Sequence, residues 1–486
     1  MPRPRHGWIG LLLLACTGTA GAETSWLDHF TFTFSERLRG EFVDFFEPSA
    51  TVAPAGANRY DFLGSQTRLG VRATFPHLQL VLEMQDTQIA NLPEDASLPP
   101  PQGNLGTGAI YYANTRRTPQ SEPFLKLGFL TYRSSGLALT GGRFEVRDGL
   151  ETTPGDATLA FVKKTRIAER LVGPFDFTHV TRSFDGMRAT WDRPGLNLTA
   201  FATKPTAGGF EISANREIEK MGIAGVSITS NRLPIPDAPP ADLRFFWLYY
   251  DDSRDDVLKV DNRPLAVRMA DHDAISINTV GGHAITAVPL GPGTVDLLGW
   301  GVVQAGRWGT QDHAAWAFAF EAGYQLPRLP AAPWLRVGID RSSGDDDPFD
   351  DVHESFFQVL PTARTYAQFP FYNLMNDQDV FAELILRPHS RVTIRADYHW
   401  LEVTEGRDLW YAGGGATNDD IFGFSGSPAA GHRELAQVAD VSVTVQVIDR
   451  LTCGAYYGHA FGGDVVRATY PGVTGDYGLV ELTFRY

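Results

Sequence analysis

Most of this chain repeats one pattern: stretches in which polar and apolar residues alternate, joined by connections that are by turns very short and long. Residues 391–400 display it in full. Arg391, Thr393, Arg395, Asp397 and His399 share one parity, and Val392, Ile394, Ala396, Tyr398 and Trp400 share the other. Successive side chains of a strand point to opposite faces, so this segment reads as a strand with a wet, charged side and an apolar side ending in aromatics. In a soluble sandwich the apolar side would meet a core. Repetition with alternating connection lengths is instead the rhythm of a transmembrane antiparallel β-barrel.

Eighteen stretches qualify as strands, among them 31–45, 62–75, 137–147, 182–193, 221–230, 272–288, 293–308, 391–405 and 477–486. An even number is what single-chain bacterial barrels require. Pro76-His77, Pro194-Gly195, His389-Ser390 and Asp449-Arg450 mark tight turns, and Ser134-Ser135-Gly136 is nearly as short. Long connections lie between them at 91–123, 148–181, 344–377 and 406–433. With the first strand starting on the periplasmic side, the tight turns fall in the periplasm and the long loops outside. The last strand alternates too, with Val480, Leu482, Phe484 and Tyr486 on one face, and ends on an aromatic.

The chain opens Met1-Pro2-Arg3-Pro4-Arg5-His6, runs apolar from Ile9 to Ala15, and reaches Ala20-Gly21-Ala22. A basic start, a short apolar run and an A-x-A ending describe a secretory signal peptide over residues 1–22. Residues 23–486 are then one barrel domain. No later stretch is apolar for the roughly 20 residues a membrane helix needs. Only Cys453 would remain after cleavage, so no intramolecular disulfide is expected. The net charge of −15 argues against nucleic acid as a partner. The 49 Gly, 31 Phe and 16 Tyr suit an all-β protein with many turns.

Placing the polar parity inward yields a basic lumen: Arg37, Arg39, Arg68, Arg72, Lys126, Arg143, Arg147, Arg188, Arg244, Arg336, Arg391, Arg395 and Arg485, with Glu145 among them. Arg on the lipid face near the midplane costs about 2–4 kcal/mol, whereas in the lumen it is inexpensive. Rings of Arg and Lys favour anions, and the guanidinium fork matches carboxylate or phosphate in a bidentate way. The plainer reading is that these groups pair with inward carboxylates such as Glu41, Glu83, Glu145, Asp340 and Asp397 and fill the barrel. The acidic surplus lies in loops, at Asp345, Asp346, Asp347, Asp350 and Asp351 and at Asp251, Asp252, Asp255, Asp256, Asp419 and Asp420. It lacks the spacing of a calcium loop and reads as solvated acidic loop.

Gly142-Arg143-Phe144-Glu145-Val146-Arg147-Asp148-Gly149-Leu150 is followed by Arg170-Leu171-Val172-Gly173-Pro174 and then Arg182-Ser183-Phe184-Asp185-Gly186-Met187-Arg188. In this order the chain resembles the alginate export family, and Leu360-Pro361-Thr362-Ala363, Tyr366 and Asp408-Leu409-Trp410-Tyr411 extend the likeness. The resemblance implies a monomeric outer-membrane barrel of eighteen strands in a Gram-negative bacterium, passing an anionic polyuronate through an Arg-rich pore with periplasmic export partners. It also implies a loop that plugs the pore, for which residues 91–123 and 344–377 are the candidates by length. Phe144 stands where the pattern has a polar residue, and Phe175-Asp176-Phe177-Thr178 lacks the expected Trp.

The same inner wall would serve an anion-selective diffusion porin for small organic anions or oligosaccharides. An enzyme is not expected: no G-x-S-x-G elbow and no zinc-like His or Cys spacing occurs, and no cofactor or metal is implied. A purely structural barrel predicts no change in selectivity when Arg68, Arg143 and Arg395 become Glu.

Overall fold

The computed structural model describes residues 26–231, 238–362 and 368–486. The expected signal peptide lies outside the described residues. The wall opens with β1 (Phe30–Asp44), β2 (Arg59–Thr74), β3 (Leu78–Ala90) and β4 (Gln120–Ser134). It continues through β5 (Leu137–Phe144), β6 (Phe184–Arg193), β7 (Leu196–Pro205), β8 (Met221–Ser230) and β9 (Ala241–Asp252). Next come β10 (Ile275–Leu290), β11 (Gly293–Trp308), β12 (Gln311–Gln325) and β13 (Trp334–Ser342). The short β14 (Val352–His353) lies parallel against β12, inside a loop. After β15 (Asp377–His389) and β16 (Val392–Val403), β17 (Leu409–Gly413) and β18 (Phe424–Pro428) form a separate hairpin. β19 (Glu434–Ile448), β20 (Leu451–Gly462) and β21 (Thr474–Arg485) complete the wall.

Leaving out β14, β17 and β18, each strand pairs antiparallel with its neighbours, and β1 pairs with both β2 and β21. The result is a closed barrel of eighteen strands, as the sequence implies. Closure leaves no edge with unpaired backbone groups, which is what allows strands to cross lipid. The segments at 221–230 and 272–308, the weakest of the alternating stretches, are strands as well.

One end of the barrel carries tight turns. At Ser135 (φ 50°) and Gly136 (φ 85°) two consecutive left-handed residues make a hairpin turn whose twist suits the strands. At the next, Pro194 fixes its own φ and Gly195 supplies φ 81°. Long loops gather at the other end, with one exception: Gly309 and Thr310 join β11 to β12 directly. The outer face is apolar, and Phe32, Leu69, Met187, Phe245, Phe320 and Val480 stand exposed on it. Trp400 is on this outer face, while His399 on the other parity is buried. β5 stops at Phe144 rather than at the expected residue 147, because the chain turns there into the lumen.

Candidate functional site: a lumen plugged by its own loop

The segment that fills the barrel is residues 145–183, between β5 and β6. Of the candidates by length, 91–123 and 344–377, the described loop residues 91–119, 343–362 and 368–376 pack over and against this segment, as Leu360 does beside Val172. Asp156 caps α1 (Ala157–Val162), its Oδ1 accepting the Leu159 N–H at 3.0 Å. A single wider turn over Lys163–Ile167 follows. The helical run and the residues just after it set Lys163, Arg166 and Arg170 against one side of the wall, where β9, β12 and β13 present Asp242, Glu321 and Asp340 inward.

Lys163 meets Asp242 at 2.9 Å, and Asp242 also receives His283 at 2.7 Å. Arg166 donates to Glu321 at 2.9 Å, and Arg170 joins Glu321 to Asp340. Arg336 of β13 bonds Asp296 at 2.6 Å and Glu321 at 2.9 Å. These side chains have almost no exposure. Buried charges are tolerable only when paired and hydrogen-bonded, and breaking one such pair costs about 3–5 kcal/mol. The loop's own acids, Asp148 and Glu151, both bond Arg244 of β9 at 2.7 Å. Arg244 and Arg336, expected to line a conduit, are consumed in holding the plug.

On the opposite wall the returning limb lays the turn Phe175–Thr178 against β1 and β2. Arg37 donates to the Asp176 carbonyl at 2.7 Å and the Thr178 carbonyl at 2.6 Å. Arg39 donates to the Phe177 carbonyl at 2.5 Å and to Glu481 at 2.6 Å. Arg68 gives its Nε to Gln85 at 2.8 Å, while its two outer nitrogens stand 3.8 Å from Glu83 and 3.9 Å from Asp176. Arg147 is bonded by Glu145, Glu169 and Asp176, and Glu145 also takes Lys126 at 3.1 Å. Five expected positions, Arg37, Arg39, Arg68, Lys126 and Arg147, are thus brought together with Glu145 in one charged cluster.

The others lie elsewhere. Arg395 bonds Glu383 at 2.6 Å across the lumen wall. Arg188 faces inward, stacked 4.9 Å from the ring of Phe144, so the aromatic that replaces a polar residue supports a lumenal cation. Arg72 and Arg485 face the lumen near the tight-turn end and are exposed. Among the described residues, Arg72, Arg188 and Arg485 have no carboxylate in ion-pair range. Arg391 is outside the strands: it sits in the turn before β16, exposed, 3.7 Å from Asp449. Arg143 faces outward. It shares parity with the exposed Leu139 and lies opposite Asp185 in register. Lys163, Arg166, Arg170 and Arg182 carry as much of the site as any strand residue, and strand parity could not have found them in a loop.

Above the plug the remaining loops interlock. Gly173 N–H bonds the Leu360 carbonyl at 2.9 Å and Leu360 N–H bonds the Leu171 carbonyl at 2.8 Å, tying 343–376 to 145–183. Arg182 reaches the Gly414 carbonyl of loop 404–433 at 2.5 Å. It is 2% exposed, and no carboxylate among the described residues pairs with it. Burial without a counter-charge pushes its guanidinium down to about 9. Asp408 accepts from the Asp345 N–H at 3.0 Å, from Ser355 and from Tyr411. Burial pushes Asp345 up to about 7 and Asp408 up to about 6. Asp345 and Asp252 are buried rather than solvated with the other loop acids, Asp252 at the end of β9 and bonded by Arg254 at 2.7 Å. No group of three metal-ligating side chains in range of one ion occurs among the described residues.

A closed eighteen-strand barrel with an apolar outer wall and a lumen crossed by inward-folded charged loops is an outer-membrane channel for solutes, set in the outer membrane of a Gram-negative bacterium. The model of the alginate export family matches residues 30–479, and the chain belongs to that family. No curated protein matches it by sequence. Among solved structures it is similar to OccAB2 of Acinetobacter baumannii, with a TM-score of 0.59 at 10% identity over 96% of this chain and 99% of that one. OccK9 (OpdG) of Pseudomonas aeruginosa gives 0.59 at 10% identity over 95% and 99%. OpdK of the same organism, solved with vanillate, gives 0.56 at 10% identity over 94% and 98%. At these identities the likeness is one of fold.

Proposed function

We propose that the channel passes an anionic polysaccharide of the polyuronate kind, with the loop 145–183 as its gate. The observation that carries this is the row of guanidinium groups from Arg37 and Arg39 to Arg68, on adjacent strands and facing one lumenal turn. Arg68 keeps both outer nitrogens of its planar fork for a carboxylate. Arg37 and Arg39 give theirs to the carbonyls of the turn and to Glu481, and a chain with a carboxylate on every sugar suits a row of such forks once the turn moves off them. The low-dielectric wall strengthens their field inside the pore. Reversal potentials in planar bilayers under a salt gradient test it. Anion preference, together with block by added polyuronate, is expected; a current without ion preference and indifferent to polyuronate overturns it.

A second reading, an anion-selective porin for small carboxylates, is favoured by the buried ion pairs that fix the plug along β9, β12 and β13, since a fixed plug leaves a narrow path. OpdK, the fold neighbour solved with vanillate, is consistent with it. Block by a monomeric carboxylate as strong as block by the polymer would select this reading. Periplasmic export partners and a monomeric state complete the proposal, the latter tested by the sedimentation of the detergent-solubilised protein.

A further inference from the structure

We propose that Asp176 is a tethered stand-in for the solute's carboxylate: it stands beside Arg68, at the end of the basic row of β1 and β2, until a solute carboxylate exchanges with it. This rests on the anion-conduit reading above.

Three observations point to it. First, Asp176 is carried on the loop together with its hydrogen-bonded partner Arg147, whereas Arg68 belongs to the wall, so the carboxylate can leave while Arg68 stays. Second, its side chain keeps 36% exposure, in contrast to Glu41 at 1% and Glu321 at 0%, although the oxygen turned toward Arg68 is itself buried. Third, it is held from one side only. One carboxylate oxygen accepts from Arg147, while the other has no hydrogen-bond partner among the described residues and stands 3.9 Å from an outer nitrogen of Arg68.

Arg68 spends only its Nε on a protein acceptor, Gln85, leaving both outer nitrogens for a bidentate partner. The turn itself is under tension: Phe175 adopts φ 58°, a conformation that a bulky residue takes only when its surroundings impose it. Here the Arg37 and Arg39 bonds to the carbonyls of Asp176, Phe177 and Thr178 impose it. Exchange of Asp176 for a solute carboxylate replaces its long contact with Arg68, while Arg37 and Arg39 keep the turn in place through its carbonyls. The solute that fits is received at Arg68, beside the turn.

The test is the full chain in planar bilayers, with oligogalacturonate as the probe, comparing wild type with Asp176→Asn and Asp176→Glu. With the competitor neutralised, block by the probe should tighten about fivefold, the effect of one nearby charge in a wet site. Anion preference should rise, and Asp176→Glu should behave as wild type. Unchanged or weaker block in Asp176→Asn, with the wild type still blocked, overturns the stand-in and leaves the conduit intact. A wild type with no anion preference overturns the conduit itself. If Asp176→Asn does not insert, Asp176→Ser makes the same removal of charge and is read in the same way.

Discussion

Arg143 grips Asp185 with both arms of its guanidinium, Nε to Oδ1 at 2.7 Å and Nη2 to Oδ2 at 2.6 Å, on the outer side of the barrel wall. The same guanidinium donates to the carbonyl of Asn215 at 2.9 Å, so it also pins loop 206–220 over the end of β5. Arg143 is thus a fastener of the wall. Arg143→Glu should leave the reversal potential unmoved while lowering the unfolding temperature, whereas Arg68→Glu should shift the potential toward cations. Bilayer recordings on the two variants, with thermal unfolding in detergent, separate the roles.

Glu321 receives Arg166, Arg170 and Arg336 together. Removing its charge strands three guanidinium groups in a dry site. Glu321→Gln should cost about 3–5 kcal/mol and release the plug, seen as a lower unfolding temperature and larger, noisier single-channel currents.

Arg182 is the opposite case, a buried guanidinium that bonds one neutral carbonyl. Replacing it with methionine keeps much of its aliphatic bulk and removes an uncompensated charge. Arg182→Met should therefore be neutral or stabilising in the same melting experiment that penalises Glu321→Gln, despite similar burial.

The Asp345 and Asp408 pair gives the roof of the channel a dependence on pH. Both carboxyls sit above their ordinary values in the folded chain, so the folded state binds protons more readily than the unfolded one. Their contribution to stability is complete below about pH 4, the unfolded value, and is lost as pH rises through 6 to 7. Protease cleavage in loops 343–376 and 404–433 should be slower at pH 5 than at pH 8, and Asp345→Asn should flatten the difference.

Strands were legible because a two-residue period is a local property: Arg395, Asp397 and His399 could be placed inward and Trp400 outward from ten residues of sequence. The period fails as a guide where the penalty behind it fades. Arg143 is the penultimate residue of β5, beside loop 206–220, and near the membrane interface a charge on the outer parity costs little. Its polar character therefore said nothing about its face. The plug was illegible for another reason. Lys163, Arg166 and Arg170 lie in a loop, and the carboxylates that define their role are on strands some 80 to 170 residues further along. Length alone pointed to loops that also fold inward, such as that of Phe357 on Gln304, and passed over 145–183, whose seat is set by charge pairing with the wall.

The wall closes where β21 lies against β1, from Ser35 opposite Arg485 to Asp44 opposite Asp476. Everything that fills the lumen comes from chain between those two strands, and the loops tied across residues 145–183 roof it from the open end. The cylinder is therefore sealed around a cork it already holds.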